Sequence, residues 1–375
     1  MPAEVTAAAL PGLKATVLWS TFALAFVFGA VAQRTNFCTM GAVADIVNFG
    51  DWTRMRQWLL AIAVAILGTA VLAATGAIDL AKTIYTAPRF TVLSYVLGGL
   101  AFGFGMVLAG GCGSRTLVRL GGGSLKSVIV FVVLGVTAFI TLRGALGVLR
   151  AGVLDPVGGQ FAGTQDLPTL VAAVTGIGKQ QLQWIIAAMV GGALLVFVFA
   201  RRDFLGFDNL LAGLAIGGVI VGVWYVSGHV GHLAEHPETL EETFLATNSG
   251  RMESLSFVAP IAYTFDWLMF FSDKSKVITL GIAAVLGMVA GSAAYAVASG
   301  SFRWEGFRDT EDTGNHIVGG MLMGFGGVTA LGCTVGQGLS GMSTLALGSI
   351  IAWLAIIAGA VAGVRYQAWR LERIG

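Results

Sequence analysis

Long apolar runs separated by short polar breaks fill nearly the whole chain. Runs near 15–33, 57–78, 91–110, 124–142, 182–200, 208–227, 257–272, 277–299, 316–331 and 343–364 predict nine or ten membrane-spanning helices. The windows Trp58–Ile78, Gln180–Ala200, Val277–Phe302 and Ser343–Val364 carry no charge. Each reaches the ~20 residues that a helix needs to cross ~30 Å of hydrocarbon. The period-two alternation of a membrane barrel is missing. The count is nine or ten because the runs ending at Gly111 and Gly332 enter glycine-rich polar stretches that can turn back inside the membrane, and because 257–272 is short. The opening stretch MPAEVTAAALPGLKATVLWS lacks the basic region and small-residue cleavage site of a removable signal, so the first run reads as a spanning helix.

The polar breaks also carry information. Two of them, 150–180 and 228–256, are long and too polar to span. The clusters Arg201, Arg202 and Arg365, Arg370, Arg373 predict a cytoplasmic C-terminus, because short loops rich in Lys and Arg stay inside.

The pattern repeats. Aligning Cys112 with Cys333, an offset of 221, superposes GGLAFGFGMVLAGGC (98–112) on GGMLMGFGGVTALGC (319–333), with nine of fifteen positions identical. A weaker match at offset 217 places RTNFCTMGAVADIVNF (34–49) over RMESLSFVAPIAYTFD (251–266). The chain therefore reads as one transmembrane domain over 1–375, with a first repeat at about 15–145, a polar insert at about 150–180 and a second repeat at about 184–365. Duplication of this kind in a membrane protein predicts two halves about a pseudo-twofold axis, with the path between them.

Composition sharpens the class. Charged residues are 11% and hydrophobic ones 56% of 375, with mean hydropathy +0.83, as expected of an integral membrane protein. A formal net charge of +2 without a basic tail or stripe argues against a nucleic-acid partner. Three cysteines cannot all pair, and none falls in a C-x-x-C or zinc spacing.

Candidate chemistry concentrates where the polar breaks hold cysteine. Gly99/Gly103 and Gly320/Gly324 are small-xxx-small pairs that let helices approach closely. Beyond them, GGCGSRTLVRLGGGS and LGCTVGQGLSGMS end a helix and continue with hydroxyl and amide side chains. Irregular backbone at membrane depth is tolerated only where protein or a water-filled cavity satisfies it, so these loops predict re-entrant segments that aim N–H groups at an anion. The bland reading, a cysteine packed as a small hydrophobe, suits one isolated cysteine better than two at equivalent repeat positions with a third, Cys38, in another polar break. Arg34 and Arg115, beside Cys38 and Cys112, are either snorkelling to headgroups or attracting an anion. His229, His232 and His236 beside Glu235 have no zinc spacing, and GGGSLKS at 121–127 lacks the ending of a phosphate loop. Asp45, Asp155 and Asp266 are weaker candidates for ion or proton coupling.

RTNFCTMGAVAD, VLAGGCGSR, SGRMESLSFVAP and above all GGMLMGFGGVTALGCTVGQGLS resemble the YeeE/YedE family of bacterial inner-membrane sulfur-compound transporters, over nearly the whole chain. The resemblance implies an all-α, hourglass-shaped polytopic protein of about nine spanning helices plus short re-entrant ones, in two pseudo-symmetric halves. It implies uptake of thiosulfate or a related small sulfur anion, no cofactor, and a separately encoded TusA-type sulfurtransferase as partner. By the same resemblance Cys38, Cys112 and Cys333 line the path and relay the ion through thiol hydrogen bonds, with Arg34, Asn36, Gly111, Ser114, Arg115, Gly332, Thr334 and Gln337 in support. The repeat adds that Cys112 and Cys333 flank the constriction, with Cys38 offset to one side because the second half has Ser254 or Leu255 there. The insert at 150–180 departs from smaller relatives, is a candidate for shaping the outer vestibule, and leaves the sulfur species open. The competing classes are a channel for another small solute with structural cysteines, and an intramembrane thiol oxidoreductase or sulfurtransferase. Against the latter stand the missing C-x-x-C and any quinone or haem ligation pattern.

Overall fold

A computed structural model describes residues 9–374 of the chain. The helices in chain order are α1 (Leu10–Thr35), α2 (Thr39–Phe49), α3 (Thr53–Ala74), α4 (Val92–Leu108), α5 (Gly113–Gly121), α6 (Leu125–Arg143), α7 (Ala145–Leu149), α8 (Leu167–Thr175), α9 (Lys179–Phe199), α10 (Phe207–Tyr225), α11 (Val258–Met269), α12 (Leu280–Ala298), α13 (Thr310–Thr329) and α14 (Leu347–Ile374). Two antiparallel ribbons, β1 (Arg89–Phe90) with β2 (Gly159–Gln160) and β3 (His232–Leu233) with β4 (Thr243–Phe244), are the only paired strands among the described residues. Among the described residues eight helical segments are long and apolar enough to cross a membrane: α1 with α2, α3, α4 with α5, α6, α9, α10 with the turn that follows it, α12 and α14. The chain is an all-α polytopic membrane protein. The run at 316–331 becomes α13, 20 residues long with Glu311 and Asp312 in its first turn, packed between α4 and α6. The short run at 257–272 becomes α11, whose 12 residues rise only about 18 Å, too little to span.

Glycine decides how the repeated segments meet. A Cβ on Gly98 would lie 2.8 Å from the Gly326 carbonyl oxygen, and one on Gly326 would lie 2.5 Å from that of Gly98. Gly105 and Gly319 are locked in the same way, at 2.8 and 2.6 Å. Since 319 and 326 are the repeat counterparts of 98 and 105, helices α4 and α13 cross antiparallel with each contact returned by its counterpart. Such reciprocity marks an isologous, twofold-related contact. The outer flanks repeat it: Gly103 faces the carbonyl of Ile356 on α14, and Gly324 faces that of Leu134 on α6.

The two loops that follow are not identical in length. Gly110 and Leu331, 221 apart, both take left-handed backbone (φ 68° and 58°), whereas Gly123 and Leu345, 222 apart, are the next such pair (φ 97° and 56°). The second copy therefore holds one extra residue. It is absorbed by a wide, π-helical turn at Gly336–Gly341, where the first copy has the regular α5. One-residue insertions into helices take this form, often at functional sites.

The insert at 150–180 folds as a wide turn, β2 and the short apolar α8. It closes the second loop: Leu167 donates its N–H to the Leu345 carbonyl and Leu347 to that of Gln165. On the opposite side the α12–α13 connection does this for the first loop, with Leu125 donating to the Glu305 carbonyl. These contacts define an insert face and a C-terminal face. The latter carries the end of α14, where Arg370 pairs with Glu311 at the start of α13.

Candidate functional site

Each cysteine sits at the start of a short helix. Cys38 caps α2, with its Sγ accepting the Gly41 N–H at 3.5 Å, and Cys112 precedes α5, with its Sγ 3.2 Å from Ser114 Oγ. Cys333 leads into the helix containing the wide turn, and its Sγ accepts the Gly336 N–H at 3.5 Å. A helix start leaves unpaired N–H groups and a partial positive charge, both suited to an anion. Cys112 lies within electrostatic reach of both Cys38 and Cys333, so it is the middle of the three. All three are buried free thiols.

Buried polar atoms without partners accompany every thiol: Thr39 Oγ1 beside Cys38, Arg115 Nη1 beyond Cys112, and Thr334 Oγ1 and Gln337 Oε1 beyond Cys333. Such atoms are expensive to leave unpaired unless something polar visits them.

A cavity of about 560 Å³ opens on the C-terminal face, where α1 ends and α3 and α10 begin. Cys38 lines it together with Asn36, Arg54, Arg115 and Arg119 and the carboxylates Asp45 and Asp51. Asn36 occupies left-handed backbone (φ 53°), which asparagine tolerates, and its Oδ1 accepts a 3.0 Å bond from Arg115. Arg119 donates to the Gly110 carbonyl, and Arg54 pairs with Asp45. Gly111 makes room for Arg115, whose Cγ would be 2.8 Å from a Cβ there.

On the insert face a second cavity of about 220 Å³ reaches Gly332. Its polar lining comprises Arg150, Asn248, Ser249, Glu253, Ser254, Ser256 and Tyr263. Gln337 turns inward and donates to the Ala330 carbonyl.

Of the residues singled out in the sequence, Cys38, Asn36 and Arg115 share the first cavity, Cys112 and Ser114 lie beneath it, and Gly332 borders the second above Cys333, Thr334 and Gln337. Arg34 is elsewhere: its Nε bonds Asp208 at 2.8 Å and its guanidinium lies over Phe207, outside the cavity lining. Asp45 is in the first cavity, Asp266 is taken by Lys276 at 2.6 Å, and Asp155 accepts from Ser94. Sequence reasoning missed Arg54, Arg119 and Glu253. Arg119 follows Arg115 by one helical turn, a signal that was present; Arg54 and Glu253 carry none short of the fold.

A family model described as sulphur transport matches residues 34–362. The chain belongs to this sulphur transport family. It is 25% identical over 353 residues to the thiosulfate transporter TsuA of Spirochaeta thermophila, covering 91% of this chain and 95% of that protein. It is 28% identical over 324 residues to the thiosulfate transporter TsuA of Escherichia coli K12, covering 83% of each. The sulphur transport family thus spans all three cysteine helices and both cavities, and both relatives are named as transporters rather than enzymes.

Proposed function

We propose that the chain is a bacterial inner-membrane permease for thiosulfate or a closely related small sulfur anion, which passes Cys38, Cys112 and Cys333 in turn between the two cavities. The observation that carries this reading is the set of unpartnered buried polar atoms beside all three thiols, each at a helix start. A thiol donates weakly, and several successive weak sites let an ion both enter and leave. Asn36, Gly111, Ser114, Arg115, Gly332, Thr334 and Gln337 shape and polarise the path, and Arg34 serves through its contact with Asp208. No cofactor or covalent step is required.

The names of both relatives support thiosulfate as the substrate. The arginines support an orientation: Arg54, Arg56, Arg201, Arg202, Arg370 and Arg373 lie toward the C-terminal face, which favours that face as the cytoplasmic one. A separate TusA-type sulfurtransferase would receive the ion there.

Uptake of thiosulfate by a sulfur-auxotrophic bacterium lacking its own sulfate and thiosulfate importers tests the reading. Wild type should restore uptake, and Cys112→Ala and Cys333→Ala should each abolish it at matched membrane expression. Undiminished uptake by both variants would leave a pore whose cysteines only pack.

A further inference from the structure

The cavity on the insert face contains an acidic group that a simple anion path does not need. Glu253 lines it, between the β3–β4 ribbon and α11. Its Oε1 accepts the Ser249 N–H at 2.9 Å and the Ser249 hydroxyl, while its own N–H donates to Ser227 Oγ at 3.0 Å. The carboxylate is thus held in place, yet no Lys or Arg approaches within ion-pair distance among the described residues. A fixed, unpaired carboxylate on an anion's route repels the anion when ionised and does not when protonated.

The groups that face it are few. Tyr85 approaches from the segment before β1, Tyr263 from α11, and Arg150 from beyond α6, while α12 and α13 add only apolar side chains and glycine. Arg251, two residues away, donates to the Thr83 carbonyl instead. Desolvation raises the Glu253 carboxyl above the ordinary carboxylate value, against the pull of the Ser249 bonds. A route onward exists as well. Ser256 Oγ and Tyr85 OH both lie against Gly336, the residue whose N–H meets Cys333, and Tyr85 OH has no hydrogen-bond partner.

We propose that Glu253 is a proton-loading group, which takes a proton from water at the cavity mouth as the sulfur anion enters and so couples anion entry to proton entry. This rests on the reading of the chain as a thiosulfate permease. The dianion favours protonation of the carboxyl, and by linkage the protonated carboxyl favours the dianion to the same degree. The proton passes on by way of Ser256 and Tyr85 and is released on the other side with the anion, so each cycle returns Glu253 to its starting state and moves one proton and one dianion, a net charge of −1, in the same direction.

The test uses the purified chain in liposomes with the membrane potential clamped at zero and the outside one pH unit more acidic. One proton per anion predicts that wild type accumulates thiosulfate about tenfold, the proton ratio across the membrane. Glu253→Gln should equilibrate thiosulfate without accumulating it, and Glu253→Asp should retain accumulation. Equal accumulation by wild type and Glu253→Gln would overturn the proposal, as would wild-type uptake that stops at equal concentrations. Absence of any wild-type thiosulfate uptake would overturn the permease reading and the coupling with it. An entrapped pH dye gives a second readout on wild type alone: thiosulfate added outside should acidify the interior, and an unchanged signal would overturn the coupling even if Glu253→Gln failed to fold.

Discussion

The two cysteine loops share a backbone plan and differ in charge. Gly110 and Leu331 hold the same left-handed turn, and Cys112 and Cys333 follow at the same distance. Yet Arg115 has Gly336 as its counterpart, and the turn that carries Arg119 becomes Ser340–Gly341. The surroundings diverge likewise. Beneath the first loop, Lys126, 8% exposed, bonds Asp312 at 2.9 Å, and Asp312 also meets His316 at 3.1 Å. Beneath the second, Gln165 bonds Gly348 N–H and the Ala87 carbonyl, all neutral. The two loops keep matching helix crossings while their side chains diverge: the cavity beside the first holds Arg54, Arg115 and Arg119 with Asp45 and Asp51, and the cavity beside the second holds Arg150 and the unpaired Glu253.

The crossings themselves are the place to break the plan hardest. A Cβ on Gly103 would lie 2.0 Å from the Ile356 carbonyl oxygen, and one on Gly324 would lie 2.7 Å from that of Leu134. Backbone cannot yield as a side chain can. Gly103→Val should give no folded protein, and Gly324→Val a folded one destabilised by about 1–3 kcal/mol, the usual range for overpacking. Thermal melting in detergent, followed by size-exclusion fluorescence, reads both. Equal melting of Gly103→Val and wild type would show that α4 and α14 are not locked through this contact.

How much of this was legible in the sequence depends on which kind of signal each part leaves. The spanning runs, the glycine seam and the cysteine loops were readable because burial in lipid and close helix contact restrict residue type strongly. The failure of 257–272 to span followed from its length alone. The extra residue in the second loop was not visible, since the identical stretch ends at Cys333 and the wide turn lies beyond it. Arg34 sits one residue before Thr35, which lines the first cavity, and pairs away from that cavity in space, because α1 ends there and the helical phase points its side chain toward α10. Arg54 and Glu253 reach the cavities through tertiary packing, which no local pattern encodes.

Arg34 and Arg115 offer the next contrast. Arg115 has one nitrogen on Asn36 and another buried without a partner, whereas Arg34 is exposed and paired. Hydrogen bonds to charged groups are worth about 1.5–3 kcal/mol, so Arg115→Met should lower thiosulfate uptake roughly 10- to 100-fold. Arg34→Ala, which removes an exposed pair worth about 0–1 kcal/mol, should change uptake less than fivefold. Similar losses from both would mean that the Arg34–Asp208 pair also serves the anion at the first cavity.

A smaller effect tests the equivalence of the turns. Leu331 bears a side chain in the left-handed region where its counterpart is Gly110, and it is 48% exposed, so little burial compensates. That conformation costs roughly 1–2 kcal/mol in a non-glycine residue, and a glycine gives back part of the gain through the unfolded chain. Leu331→Gly should therefore stabilise by up to about 1 kcal/mol, seen as a higher melting temperature, and a lower one would show that the Leu331 side chain packs in the folded state.

The mildest contrast lies between ion pairs on the two faces. Lys126 is sunk beside Asp312, but on the insert face Lys82 and Glu242 are 37% and 41% exposed, and His232 shares the same carboxylate at 2.6 Å. The Lys82 ammonium, followed by His232, holds the Glu242 carboxyl below its ordinary value. A depressed carboxyl stabilises the fold fully above its unfolded value and loses that contribution as pH falls through the folded one. Solvent screening limits the amount to about 1 kcal/mol or less. Glu242→Gln should thus melt slightly below wild type at pH 7, and the gap should close once the pH falls below the carboxylate range, with high salt narrowing it further. A gap that persisted in acid would assign the stabilisation to the shape of the β3–β4 ribbon rather than to its charges.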